Sequence, residues 1–196
     1  MSLIPRSNWI IKDILLVGEY PSKYEPKVIE ENMYKMVELG VDVFINLMEP
    51  IERYGSFPYE AFLCDESFDT FEEGYYHVKN SKKHNKDFTF INIPIVDHRT
   101  LSDEEALKVI DKIYEYIKAG KTIFIHCRKG KGRTGTITCL LLCKYYGYSA
   151  EEALKLFYTS YMDRVPKPRM KPRLKYRQEL QVKKLDKFFK VENNNI

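Results

Sequence analysis

One stretch of the chain brings a nucleophile, cations and small residues close enough together to do chemistry. Residues 126–134 read His126, Cys127, Arg128, Lys129, Gly130, Lys131, Gly132, Arg133 and Thr134. A short apolar run, Thr122 to Ile125, leads in, and a strongly apolar run leads out. A loop between a buried strand and a helix start can turn successive backbone N–H groups inward. The helix adds its own unpaired N–H groups and the positive end of its dipole. That makes a cradle for an anion, and Gly130 and Gly132 let the backbone curl around it. A thiol facing such a cradle is held as thiolate, because a helix N-terminus and nearby cations lower its pKa. Arg133 can reach across the loop and grip two oxygens of a phosphate with its planar fork. Thr134 places a hydroxyl near the sulfur. Together these residue types suit attack by a thiolate on a held oxyanion.

The elements that must position this loop alternate. Asp13–Gly18 is a short apolar run ending in glycine and reads as a buried strand. Helical spacing from Pro26 to Leu39 is closed by Gly40, and the β-branched run Val41–Leu47 is a second strand. Residues 49–87 are aromatic-rich and irregular, with a basic patch at Lys79–Lys86. They read as a long insertion carrying a short helix or hairpin. A third strand follows at Phe88–Val96. Ser102 with Glu105 forms a capping box that opens a helix up to Gly120. Thr122–Ile125 has no polar alternation, as expected of a central strand covered on both faces. A helix from Thr134 to Tyr146 follows the loop, and Ser149 with Glu152 caps another to about Tyr161. Pro166, Pro168 and Pro172 precede a basic terminal helix, about Arg173–Lys190. The fold class is therefore α/β, a mostly parallel central sheet flanked by helices. The division is a catalytic domain over 1–165 and a Pro-containing basic segment over 166–196, packed on or appended to that domain.

Composition narrows the class. The chain has 196 residues, 44% of them hydrophobic, enough for one core without disulfide staples. Cys64, Cys127, Cys139 and Cys143 show no zinc-type spacing, so neither a metal site nor a cofactor is expected and the cysteines read as reduced. No apolar run reaches the ~18–20 residues a membrane span needs. Arg6, Lys12 and Asp13 break the N-terminus before any signal-length core. A cytoplasmic protein is the expectation. From Tyr161 onward 11 basic residues face 4 acidic ones, whereas the whole chain nets only +4. A mildly acidic body thus carries a basic C-terminal segment, which either favours an acidic surface or is a solvated helix face.

His126, Cys127, Gly130, Arg133 and Thr134 match the pattern HCxxGxxR[S/T]. The stretch resembles the active-site signature of the cysteine-dependent protein tyrosine phosphatase superfamily. It is most similar to the dual-specificity branch, because the chain is short and an aspartate stands about thirty residues before Cys127. The resemblance implies that fold and phosphomonoester hydrolysis through a phosphocysteine, with no metal. It implies Cys127 as nucleophile, Arg133 and the loop (Arg128, Lys129, Gly130, Lys131, Gly132) as phosphate binders, Thr134 as an aid to the leaving sulfur, and His126 as structural support. Asp97 becomes the general acid. By its own context it is a turn aspartate, and Asp103 is the competitor, although acids are common in a first helical turn for dipole reasons alone.

Cys139 and Cys143, four apart on an apolar helix, read as core. Family precedent leaves open a disulfide between Cys64 and Cys127. The aromatics of residues 54–76 read as packing, and one of them could wall the substrate cleft. Substrates are first phosphotyrosine, with phosphoserine or phosphothreonine, on proteins. The alternative is a phosphoinositide or inositol phosphate. Lipid 3-phosphatases of the superfamily carry Cys-Lys-Ala-Gly-Lys-Gly-Arg in this loop. Here Lys131 and Gly132 match, Arg128 keeps the charge and Lys129 replaces alanine. Nucleic acid is the less expected partner, and a non-catalytic phosphate-binding scaffold the least, since cysteine, arginine and aspartate are all present.

Overall fold

The strand that carries Cys127 lies in the middle of a six-stranded sheet. A computed structural model describes residues 4–21, 25–53, 59–63, 75–81 and 85–193, with backbone only at 75–81 and 192–193. Its strands are β1 (Ser7–Ile11), β2 (Leu15–Glu19), β3 (Val41–Asn46), β4 (Tyr75–Ser81), β5 (Lys86–Asn92) and β6 (Thr122–Cys127), in the order β1-β2-β6-β3-β5-β4. The four central strands are parallel, and β1 and β4 pair antiparallel at the edges. Residues 123–127 of β6 are all buried, which is why that run shows no polar alternation. Register places Glu19 opposite Cys127, and Asn46 opposite both His126 and Asn92. The central strands therefore end together, at the carboxyl edge where parallel sheets bind ligands.

Five helices cover the sheet: α1 (Pro26–Glu38), α2 (Asp103–Lys118), α3 (Gly132–Tyr146), α4 (Ala150–Tyr161) and α5 (Tyr176–Asn193). Both predicted capping boxes form, with the Ser102 and Ser149 hydroxyls accepting from the amides of Glu105 and Glu152. Helix α3 packs against α2, α4 and α5. It is buried nearly all round, as its sequence requires.

Two strands depart from the sequence reading. The segment read as one strand from Asp13 begins at Leu15, because Asp13 takes a left-handed turn (φ 60°) that folds β1 back on β2. The stretch 49–87 is not simply an insertion. It contains 3-10 turns at Pro50–Arg53 and Tyr59–Phe62 and the edge strand β4. Residues 54–58, 64–74 and 82–84 lie outside the described residues, and with them Cys64, the side chains of the Lys79–Lys83 patch and most of the 54–76 aromatics.

The C-terminal segment docks through Val182, Leu185 and Phe189, all buried. Tyr158 also donates to Glu179, at 2.9 Å. Leu185→Ala should cost about 2–4 kcal/mol in a denaturant titration. A loss below about 0.5 kcal/mol would show that α5 is not part of the core.

Candidate active site

Beyond Cys127 the chain leaves β6, turns through Gly130 at φ +58° and enters α3 at Gly132. A β-carbon at Gly130 would stand 2.2 Å from the carbonyl oxygen of Gly18, so only glycine fits here. Three consecutive carbonyls of the loop are held from outside. Tyr20 N–H donates to Arg128 O at 3.4 Å, and Arg164 donates to Lys129 O at 3.3 Å and Gly130 O at 3.1 Å. In a trans peptide the N–H points opposite the C=O. Holding these carbonyls outward therefore turns the amides of Lys129, Gly130 and Lys131 to the loop's inner side.

Arg164 is itself buried, donates to Asn8 Oδ1 at 2.6 Å and lies 3.9 Å from the Tyr161 ring centre. Burial pulls its pKa down to about 10, against the opposing influence of Tyr161 and Cys127, so it stays protonated at neutral pH.

Arg133 is only 2% exposed. Its Nη1 donates to Glu52 Oε2 (2.5 Å), Ile95 O (2.9 Å) and Leu47 O (3.4 Å). Its Nη2 donates to Glu52 Oε1 (2.8 Å) and faces Asp97 Oδ1 (3.1 Å). Burial works against its charge, but Glu52, then Cys127 and Asp97, raise its pKa above the ordinary value. Burial likewise opposes the Glu52 carboxylate, yet Arg133 and the Glu49 backbone hold its pKa below the usual range. Arg133 Nε is buried without a partner, a donor left over for a bound anion.

The predicted residues converge. A cleft of about 410 Å³ is lined by Cys127, Arg128, Lys129, Lys131, Gly132, Arg133 and Asp97. Asp97 is half exposed at its rim and also meets His98 Nε2 at 3.5 Å. Asp103 does not line the cleft. Gln181 and Lys184 of α5 bind it and hold its pKa low. The Thr134 hydroxyl is buried and makes no hydrogen bond. Among the described residues Cys127, Cys139 and Cys143 are free. Burial pushes Cys143 up to about 12 and Cys139 well above the ordinary thiol value, so neither competes as a nucleophile. The question of a Cys64 partner lies outside the described residues.

His126 points away from the cleft. It stacks on Tyr20 and Phe124, with Nε2 2.9 Å from the Tyr59 hydroxyl. Sequence reasoning missed Glu52, Arg164 and the cleft wall from the C-terminal segment, Arg173, Lys175 and Gln178. No periodicity or motif marks any of them.

A family profile described as "Dual specificity phosphatase, catalytic domain" matches residues 30–184. The chain belongs to this family. Protein 197R of Invertebrate iridescent virus 6, named for a tyrosine phosphatase activity, is 30% identical over 145 residues, covering 71% of this chain and 42% of its own length. The phosphatidylinositol 3,4,5-trisphosphate 3-phosphatase ptn1 of Schizosaccharomyces pombe is 44% identical over 36 residues, 18% of this chain and 10% of its own. The chain thus spans less than half the length of these relatives. The crystal structure of PTPMT1 in complex with PI(5)P superposes with a TM-score of 0.66 at 16% identity, over 95% of this chain and 98% of that one, and shows the same fold. In this chain Cys127 and Arg133 flank one loop at the sheet's carboxyl edge.

The neutral state of His126 is testable. Burial first, then the charges of Arg53 and Arg133, depress its pKa well below the ordinary histidine value. An unfolded histidine takes up a proton below about pH 6.5 and the native one does not. Stability should therefore fall as pH drops through that region, by up to about 1.4 kcal/mol per unit. The His126 ring-proton NMR shift should stay constant from pH 8 to 6. A midpoint near the ordinary histidine value would contradict the buried, neutral ring.

Proposed function

We propose that the chain hydrolyses phosphomonoesters in two steps through a phosphocysteine. The Cys127 thiolate attacks phosphorus in line with the ester oxygen. A P–S bond forms as the P–O bond breaks, while Asp97 gives the departing oxygen its proton. The loop amides and Arg133 hold the remaining phosphoryl oxygens, which is positioning and charge stabilisation. Water, losing its proton to Asp97, then cleaves P–S and releases phosphate. The free Thr134 hydroxyl donates to the sulfur as it leaves. The observation that carries this reading is Arg133, a charged guanidinium with a spare buried donor, in one cleft with Cys127 and Asp97. A thiolate nucleophile needs a reducing compartment, which supports a cytoplasmic setting. No helix among the described residues is long and apolar enough to cross a membrane.

Phosphotyrosine, with phosphoserine or phosphothreonine, on proteins is the first substrate class, supported by the viral relative's name. The cleft itself favours the second class, inositol phosphates and phosphoinositides. Its lining includes Arg128, Lys129, Lys131, Arg173 and Lys175 beside Arg133 and His98, a concentration of cations that suits a polyanionic ligand. The yeast lipid phosphatase relative points the same way.

Cys127→Ser should abolish turnover of an aryl phosphate while phosphate binding survives. Asp97→Ala should lower kcat by about 10²–10⁴-fold for alkyl phosphates and far less for activated aryl phosphates, because only poor leaving groups need the proton. Asp103→Ala should leave both rates within about twofold but weaken the docking of α5. The reverse order of the two aspartates in a leaving-group series would sink the assignment of Asp97.

A further inference from the structure

A second cleft, of about 400 Å³, opens on the far side of the two loop lysines. Arg6, Lys129, Lys131 and Arg169 line it, together with the Glu19 carboxylate, Tyr161, Pro168 and Met170. Lys129 and Lys131 also line the Cys127 cleft, so the two clefts meet at the loop. The backbone bearing both lysines is fixed from beneath by Arg164, and Lys131 Nζ stands 5.5 Å over the Tyr161 ring. The Lys131 charge is thus seated against Tyr161, a residue that also lines the second cleft.

Some cations elsewhere on the described surface are neutralised by a close carboxylate. Lys86 meets Asp42 at 2.7 Å, Lys144 meets Asp111 at 2.6 Å and Lys190 meets Asp186 at 2.9 Å. At the second cleft Arg6 reaches Glu19 only at 3.7 Å, and Arg169 forms no ion pair among the described residues. The segment leading to α5 adds to the imbalance. Lys167, Arg169, Lys171, Arg173 and Lys175 are all exposed, while Pro172 and Leu174 between them turn inward. This extended strap borders the second cleft through Arg169 and the first through Arg173 and Lys175. Like charges gathered in this way repel one another, and a bound anion offsets that repulsion. One phosphoryl group is already satisfied by Arg133 and the loop amides, which leaves the second cleft's cations unused.

We propose that the second cleft holds a second phosphate of the same substrate. The substrate class is a polyol bearing two or more phosphates, an inositol phosphate either free or as a lipid headgroup. This deepens the phosphatase reading and rests on it. The clefts share residues two apart in sequence, whose Cα atoms are at most about 7 Å from each other. Phosphates on one six-membered ring reach both sides of so narrow a divide. The cationic side chains that line both clefts suit a ligand carrying several phosphates on a compact polyol.

The test compares wild type, R169A and R6A/R169A on four substrates. They are para-nitrophenyl phosphate, a soluble inositol bisphosphate, the same headgroup in phosphatidylcholine vesicles, and a doubly phosphorylated peptide. Arg169 is exposed and the Arg6 side chain, part-buried in its backbone, reaches the surface, so the variants should fold. The expected result is a tenfold or greater loss of kcat/KM on both forms of the inositol substrate, carried by KM, with the aryl phosphate within twofold. Equal losses on all substrates, or none, would overturn the second subsite. A loss confined to vesicles would assign the cations to the bilayer, and one confined to the peptide would overturn the polyol class. Calorimetric binding of the soluble inositol bisphosphate to C127S, with and without R6A/R169A, separates the two levels. Binding that weakens tenfold in the triple variant supports the subsite even if wild type turns over no aryl phosphate, a result that would instead defeat the phosphatase reading.

Discussion

A charged guanidinium buried at the base of the cleft is the constraint around which the site is arranged. Removing an ion from water costs several kcal/mol unless its donors are met. Arg133 meets this requirement by drawing two stretches of chain to itself: Leu47 and Glu52, which follow β3, and Ile95 and Asp97, which follow β5. The edge strand β4 and β5 itself separate the two in sequence. The same contacts bring the carboxylate proposed as proton donor to the cleft rim. They leave Nε buried without a partner, the donor that the proposed mechanism assigns to a bound phosphoryl group.

The phosphate loop is fixed from its other side. Gly130 closes against the Gly18 carbonyl, and Arg164 and Tyr20 grip three carbonyls in succession. Charge is used twice in this arrangement. Arg133 answers the anion directly, and Arg164 sets the direction of the amides that answer it. The lysines between them stand on a backbone that cannot relax away from its neighbours. Both lysines line the two clefts.

The strand, loop and helix around Cys127 were legible because each carries a local signal: an unbroken apolar run, glycines, and an apolar helix with a glycine stop. The two capping boxes were legible for the same reason, since Ser102 with Glu105 and Ser149 with Glu152 act within three residues. Glu52 was not legible. It lies in a 3-10 turn within an irregular aromatic stretch, and its importance comes entirely from a partner 81 residues away. Arg164 is equally silent, because its role depends on the loop carbonyls and not on its own neighbours. The edge strand β1 was lost to an aspartate that adopts a left-handed turn. The C-terminal cations could be counted, and their surplus seen. Their alternation with Pro172 and Leu174 places them along an extended strap beside the cleft and not only on the terminal helix where they were expected.

The account depends most directly on a covalent bond between Cys127 and phosphorus. Acid quenching of the enzyme during turnover of an aryl phosphate, followed by digestion and mass spectrometry, measures that bond. The peptide containing Cys127 should gain the mass of one phosphoryl group, about 80 Da for HPO3, and the adduct should be enriched in the Asp97→Ala variant, where hydrolysis of the intermediate is slowed. Steady turnover with no adduct on Cys127 in either protein, or an adduct on another residue, would contradict it.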